Sequence, residues 1–407
     1  MSSSQSPKLV IIGVFVLLAA GVAWYAISKG KEATSNGSGS GDSSGGQTAG
    51  LSQKPRSGVK ATIKVLYSTE KKAWLEEAVL AFEKEHPEID VVLDGKGSLD
   101  AVRSILDGKD QPTVWSPADN AALELLASDW FQKEHKPLYP DTGDAAPQPL
   151  VLTPLVFVAW EEYANVLTEK DSKPMTWRRL HDVLSKAEGW KAIGGPAEWG
   201  VIRLGHTDPT ASNSGLQALI LMAYEYHGKT AGLAVGDVLD GKFQEFVKTV
   251  EKGVPKFGDS TGTFMTDMIR YGPSKYQIVI SYENLAIEQL ANAQGRWGNL
   301  KVYYPQYTLW SSHPAALLDA SWVTPEQKEA GRLLIEFLRG PDMQRRALAY
   351  GFRPADPSVP ILTEGAENPF TAARAYGVKV DLPSAIDPPP GPVISNLMEM
   401  WSRQVRR

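Results

Sequence analysis

The side chains able to do chemistry in this chain are mostly hydroxyls and amides placed where a strand ends or a helix begins. Ser68 with Thr69, Ser98, Ser116 with Asp119 and Asn120, Ser212-Asn213-Ser214, and Ser281 with Tyr282 all hold that position. Ligands of α/β sheets bind beyond the carboxyl ends of strands. Helix starts there present free N–H groups and a partial positive charge, which suits an anion. Ser, Thr, Asp and Asn are also the residues a helix N-cap demands, so each loop taken alone fits either role. Their recurrence in five loops favours a shared cleft that orients a polar ligand.

Catalytic patterns are few. The sequence contains no His-Glu-x-x-His, no phosphate-cradling Walker loop and no Gly-x-Gly-x-x-Gly, and Gly-x-Ser-x-Gly occurs only as Gly41–Gly45 and Gly258–Gly262, with no histidine close by in sequence. Of the six histidines, only His206 and His313 adjoin polar loops. Asp208 stands near His206, but two potential ligands do not make a metal site. Lys71, Lys72 and Lys96 flank the loops and read as solvated. The expectation is a binding protein and not an enzyme, with no cofactor and no metal.

Alternating strands and helices position these loops. Ala61–Tyr67 alternates and is rich in β-formers, and a helix follows with Trp74, Leu75, Ala78, Val79 and Phe82 at helical spacing. Ile89–Leu93 and Thr113–Trp115 repeat the strand pattern, each followed by a helix, so βαβ units and a mainly parallel sheet are expected. Leu150–Trp160 is long and apolar but holds Pro154, which a central strand rarely tolerates. It reads as two strands passing between lobes. Pro305–Asp319 is a second long non-helical crossing, and Thr324-Pro325-Glu326-Gln327 is a capping box. The Pro-rich remainder reads as a surface wrap.

Composition bounds the class. The 407 residues carry 42 Lys and Arg against 47 Asp and Glu, a net charge of −5 that offers no basic surface for nucleic acid. Cysteine is absent, which excludes disulfides, thiolate metal sites and a lipid-modified cysteine. Leu9–Ser28 is a twenty-residue run without charge, flanked by Lys8 and Lys29. It is long enough to cross a bilayer and longer than a secretory h-region. It reads as an uncleaved anchor, with Gly21-Val22-Ala23 as the alternative cleavage point. The Gly/Ser-rich stretch 29–58 then reads as a flexible tether.

Three segments carry a family resemblance: GHTDPTASNSG (Gly205–Gly215), DSTGTFMTDMIRYGPSKYQIVISYEN (Asp259–Asn284) and FLRGPDMQRRALAYGFRP (Phe337–Pro354). Through them the body resembles bacterial extracellular solute-binding proteins of the type II periplasmic-binding fold. It looks closest to the molybdate- and sulfate-binding-like branch, in a subgroup sometimes fused to a von Willebrand A domain. The resemblance implies an α/β, two-lobed, periplasmic-binding-protein-like fold with two crossover strands, preceded here by one transmembrane helix. Lobe 1 would combine 59–152 with 312–370, lobe 2 would span 156–308, and 371–407 would pack on the body. Carried over by position, Ser68 and Thr69 match the first cleft loop, Ser98 the second, and Ser116 and Asn120 fall near the third. Thr207, Asp208, Ser212, Asn213 and Ser214 match the loop at a lobe 2 helix start. Ser260, Thr261 and Tyr282 match later cleft positions. This chain departs from the pattern in having no von Willebrand A segment and no lipidated cysteine.

The implied function is a membrane-tethered extracytoplasmic receptor whose lobes close on a small polar ligand, an anion by preference, for uptake or sensing. A membrane transporter or an envelope protein would be its partner. An envelope interaction scaffold on the same fold, without small-molecule transport, is the alternative.

Overall fold

Strand β1 (Ala61–Tyr67) sets the layering of the first lobe. Ile63, Val65 and Tyr67 face one side, where they pack with Trp74, Leu75 and Phe82 of helix Lys72–Glu85 and Leu334 of helix Pro325–Arg339. Leu66 faces the other side and joins Leu99, Val102 and Ile105 of helix Ser98–Leu106. The period-2 alternation of one strand therefore serves two helical layers. The sheet order is β2-β1-β3-β10-β4, with β2 Ile89–Gly95, β3 Val114–Ser116, β4 Gln148–Pro149 and β10 Pro314–Leu317. Strands β1, β2 and β3 are parallel, and β10 returns antiparallel against β3 and β4.

The computed structural model describes residues 58–406 apart from 144, 383, 384 and 387. The proposed anchor Leu9–Ser28 and nearly all of the tether lie outside the described residues. Among the described residues no helix is long and apolar enough to cross a membrane.

Strand β5 (Val151–Trp160) carries the chain into the second sheet, and it is one continuous strand, not two. Its partners change around Pro154. On one edge, β11 (Arg353–Pro354) pairs as far as Leu152 and β7 (Ile278–Tyr282) begins at Leu155. Pro154 falls in the gap between them, where no ladder N–H is required. Beyond it β5 lies between β7 and β8 (Leu300–Tyr303), and β6 (Leu204–Gly205) adds to β7 in parallel. The second crossing holds β9 (Trp310–Ser311), which pairs with Thr153 and Pro154, and then β10.

Helix Asn213–His227 is the centre of the second lobe, with 13 of its 15 residues buried. An all-round buried helix needs cover on every side. The C-terminal helix Gly391–Gln404 supplies part of it, and its Trp401 is fully buried. The C-terminal segment thus enters the core, where the sequence suggests a surface wrap.

The join between β11 and the second lobe is a buried ion pair. Arg353 donates from Nε to Glu283 Oε2 at 2.7 Å and from an Nη to Oε1 at 2.8 Å, and Tyr304 Oη also donates to Glu283. Arg353 further donates to the carbonyls of Lys379 and Val380. Removing one partner of such a pair strands a buried charge. Arg353→Met is expected to cost about 3–5 kcal/mol of unfolding free energy. The double change with Glu283→Leu should cost clearly less than the two single losses added together. Chemical unfolding of the wild type, the two single variants and the double variant checks both statements.

Candidate functional site

The loops at the ends of these strands line a small, partly open cavity with room for about one water molecule as the lobes stand. It is far below the size of a drug-sized pocket, so it suits a ligand of few atoms. Ser68, Thr69 and Ser98 line it from the first lobe. Ser212, Asn213, Ser260, Thr261 and Tyr282 line it from the second. The other sequence candidates lie elsewhere. Ser116 is buried behind Ser68, and its carbonyl accepts from the Ser68 N–H at 3.0 Å. Thr207 and Ser214 are buried behind the wall with their hydroxyls 2.7 Å apart, and Ser214 Oγ is 2.6 Å from Thr261 Oγ1. Asp208 ties its own turn by accepting from the N–H and hydroxyl of Thr210 at 2.7 and 2.6 Å. Asn120 is exposed, because the residue capping that helix is Asp119.

Asp119, one of the polar residues at a helix start, is the one that bridges the lobes. Its Oδ1 accepts from the N–H groups of Ala121 and Ala122 at 3.0 and 3.4 Å, capping the first-lobe helix Asn120–Glu134. Its Oδ2 accepts from Asn213 Nδ2 at 2.8 Å and Gln217 Nε2 at 2.9 Å, both on the second-lobe helix Asn213–His227. One carboxylate thus joins the lobes. Burial pushes its pKa up, against those same hydrogen bonds. Asn213 Nδ2 also donates to Tyr282 Oη at 3.0 Å. Because an ionised carboxylate only accepts, the Asn213 amide must turn its nitrogen to Asp119.

A second buried cluster lies beside the cavity. Lys71, expected in solvent, is fully buried. Its ammonium donates to Ser68 Oγ and to the carbonyls of Ser116 and Pro117 at 3.0 and 3.1 Å, and it lies 3.2 Å from His313 Nδ1. The end of β3 supplies those carbonyls, so a residue 45 positions away in sequence makes burial tolerable. Burial holds the Lys71 ammonium down at about 8, opposed by the Glu70 charge. Glu70 lines the cavity. Burial works to raise its carboxyl, but His313 and the Lys71 charge outweigh it and hold it at about 2. Lys72 is exposed, as expected, and Lys96 is half-buried against Asp110.

Three helix starts meet here: Ser98–Leu106, Asn213–His227 and Thr261–Tyr271. None has a side chain bonded back to its first turn. Their free N–H groups are therefore available to a ligand. The spacing needs glycine. A Cβ on Gly97 would lie 2.8 Å from the Ala211 carbonyl oxygen of the opposite lobe. A Cβ on Gly215 would lie 2.3 Å from the Thr207 carbonyl oxygen.

His206 is absorbed by structure. Its Nε2 is 2.6 Å from Glu251 Oε2 and its Nδ1 2.9 Å from the Thr207 carbonyl oxygen. It does not line the cavity. Among the described residues no group of three His, Asp or Glu could hold a metal ion.

Two interleaved α/β lobes joined by crossing strands, with polar helix starts around the space between them, define a two-lobed binding protein. The chain belongs to the bacterial extracellular solute-binding protein family, whose model matches residues 63–353. Solved structures agree on the fold. The sulfate-binding protein SubI from Mycobacterium tuberculosis is 18% identical with a TM-score of 0.54, over 85% of this chain and 99% of that one. The periplasmic binding protein AfuA from Actinobacillus pleuropneumoniae, solved with fructose-6-phosphate, is 14% identical with a TM-score of 0.54, over 85% and 99%. Maltose-bound MalE3 from T. maritima is 16% identical with a TM-score of 0.55, over 84% and 95%. A comparison with curated proteins gave no match.

Gly97→Ala should weaken ligand binding at least tenfold, since closure brings its Cβ into the Ala211 carbonyl, while unfolding free energy changes little. Calorimetric titration beside chemical unfolding separates the two. A pH effect follows from His313, whose imidazole burial and the Lys71 charge hold down at about 4 against an ordinary 6.5. The unfolded chain takes up a proton there that the folded one refuses. Stability is therefore full above 6.5 and falls as the pH drops toward 4. His313→Gln should flatten that part of the stability–pH curve.

Proposed function

We propose that this chain is an extracytoplasmic receptor whose lobes close on a small ligand rich in acceptor oxygens, an oxyanion, for uptake through a membrane transporter or for sensing. The observation that carries this reading is the meeting of three uncapped helix starts around a cavity walled by Ser and Thr hydroxyls. Such starts offer N–H donors and a partial positive charge without a counter-cation. The molybdate- and sulfate-binding-like branch belongs to the same reading. The fold alone does not choose the ligand, because sulfate, sugar-phosphate and maltose binders share it. Tethering by the uncharged run Leu9–Ser28 is part of the proposal and rests on that run's length and apolarity.

Thermal unfolding of the purified body with phosphate, sulfate, molybdate and small organic acids tests the reading. A ligand at about 100 times its Kd stabilises by about 2.7 kcal/mol, which raises Tm by roughly 3–5 °C for a body of this size. No rise with any oxyanion would overturn the anion reading.

A further inference from the structure

The cavity is walled by acceptors as well as donors. Glu70 and Asn213 both line it, and each carries a buried oxygen without a hydrogen-bond partner, Glu70 Oε1 and Asn213 Oδ1. The Glu70 side chain is 3% exposed and Asn213 is 2% exposed, so bulk solvent does not reach these oxygens. Glu70 Oε1 lies 3.3 Å from His313 Nδ1, a poorly aligned contact that the Lys71 ammonium contests at 3.2 Å, and the Ser68 hydroxyl also supports the Glu70 carboxyl. A carboxylate has about four acceptor positions, so Glu70 keeps acceptor capacity even where His313 donates. The Asn213 oxygen is turned away from Asp119 because its nitrogen is committed there.

Leaving a buried acceptor without a partner is costly, more so when it is charged. A fully deprotonated oxyanion satisfies the helix starts but sets its own lone pairs against these two oxygens. From this we infer that the ligand is a protonated tetrahedral oxyanion, with hydrogen phosphate as its simplest member, held through its oxygens by the helix starts and through its own O–H by Glu70. The inference rests on the anion reading above and narrows it. Sulfate and phosphate share size and shape, but only phosphate keeps an O–H at neutral pH. A zwitterion such as glycine also pairs acceptors with a donor. Its carbon would want apolar cover, and the wall offers only Ala118 and the Tyr282 ring besides backbone and polar side chains.

Isothermal titration of the body with inorganic phosphate, sulfate and glycine at neutral pH tests this. The expected result is a preference for phosphate over sulfate of about 100-fold or more, with no tight binding of glycine. Glu70→Gln should shrink that preference at least tenfold, since an amide can donate to sulfate. Equal affinity for sulfate and phosphate overturns the inference and leaves the anion reading standing. Tight binding of glycine alone overturns both, and binding of none of the three overturns the inference. The wild-type comparison decides the matter even where the variant folds poorly.

Discussion

One carboxylate holds the geometry together. Asp119 gives one oxygen to the first turn of a first-lobe helix and the other to two amides of a second-lobe helix. The cap fixes where that carboxylate stands, and the amides fix where the opposite lobe comes to rest. Asn213 is the joint of this arrangement, because its nitrogen goes to Asp119 and Tyr282 while its oxygen faces no protein partner. Closure of the lobes and the polarity of the cavity wall are therefore set by the same bonds.

Beside it the Lys71 cluster supplies the electrostatic balance. A buried, ionised Glu70 would be hard to sustain alone. A buried ammonium nearby and a neutral imidazole offset it, and the carbonyls at the end of β3 hold that ammonium in place. The cavity is thus not simply positive. On the proposed reading the uncapped helix starts attract an anion, one carboxylate selects among anions, and the lysine lets both coexist.

Much of this was legible in the sequence, and the rest shows where local pattern stops. Alternation in Ala61–Tyr67, the helical spacing of Trp74 to Phe82, and the Thr324 capping box fix elements because each depends on residues a few positions apart. The Ser and Thr loops stood out because helix starts and polar ligands call for the same side chains. Asp119 and Asn120 stand side by side at one helix start, the resemblance points to Asn120, and a shift of one residue separates the buried bridge from the exposed amide. Thr207 and Ser214 share a motif with wall residues, yet they face each other behind the wall, a distinction that depends on how the loop folds back. Lys71 was illegible, since nothing near it in sequence announces that Ser116 and Pro117 will face it. Pro154 misled for the opposite reason. Its local rule is sound, but the partner strands happen to change where the N–H is missing.

The C-terminal helix extends the argument from the cavity to the far side of the second lobe. Trp401 Nε1 donates to Glu251 Oε1 at 2.9 Å, and the other oxygen of Glu251 meets His206. His206 holds the Thr207 carbonyl, the Thr207 hydroxyl holds Ser214, and Ser214 holds Thr261 in the cavity wall. Each link is buried, so each polar atom in it must find its partner inside the protein. A histidine and a glutamate that could pass for catalytic residues are spent on this chain of contacts. The C-terminal residues, beyond the segment that matches the family, are in this way part of what keeps the wall of the site in register.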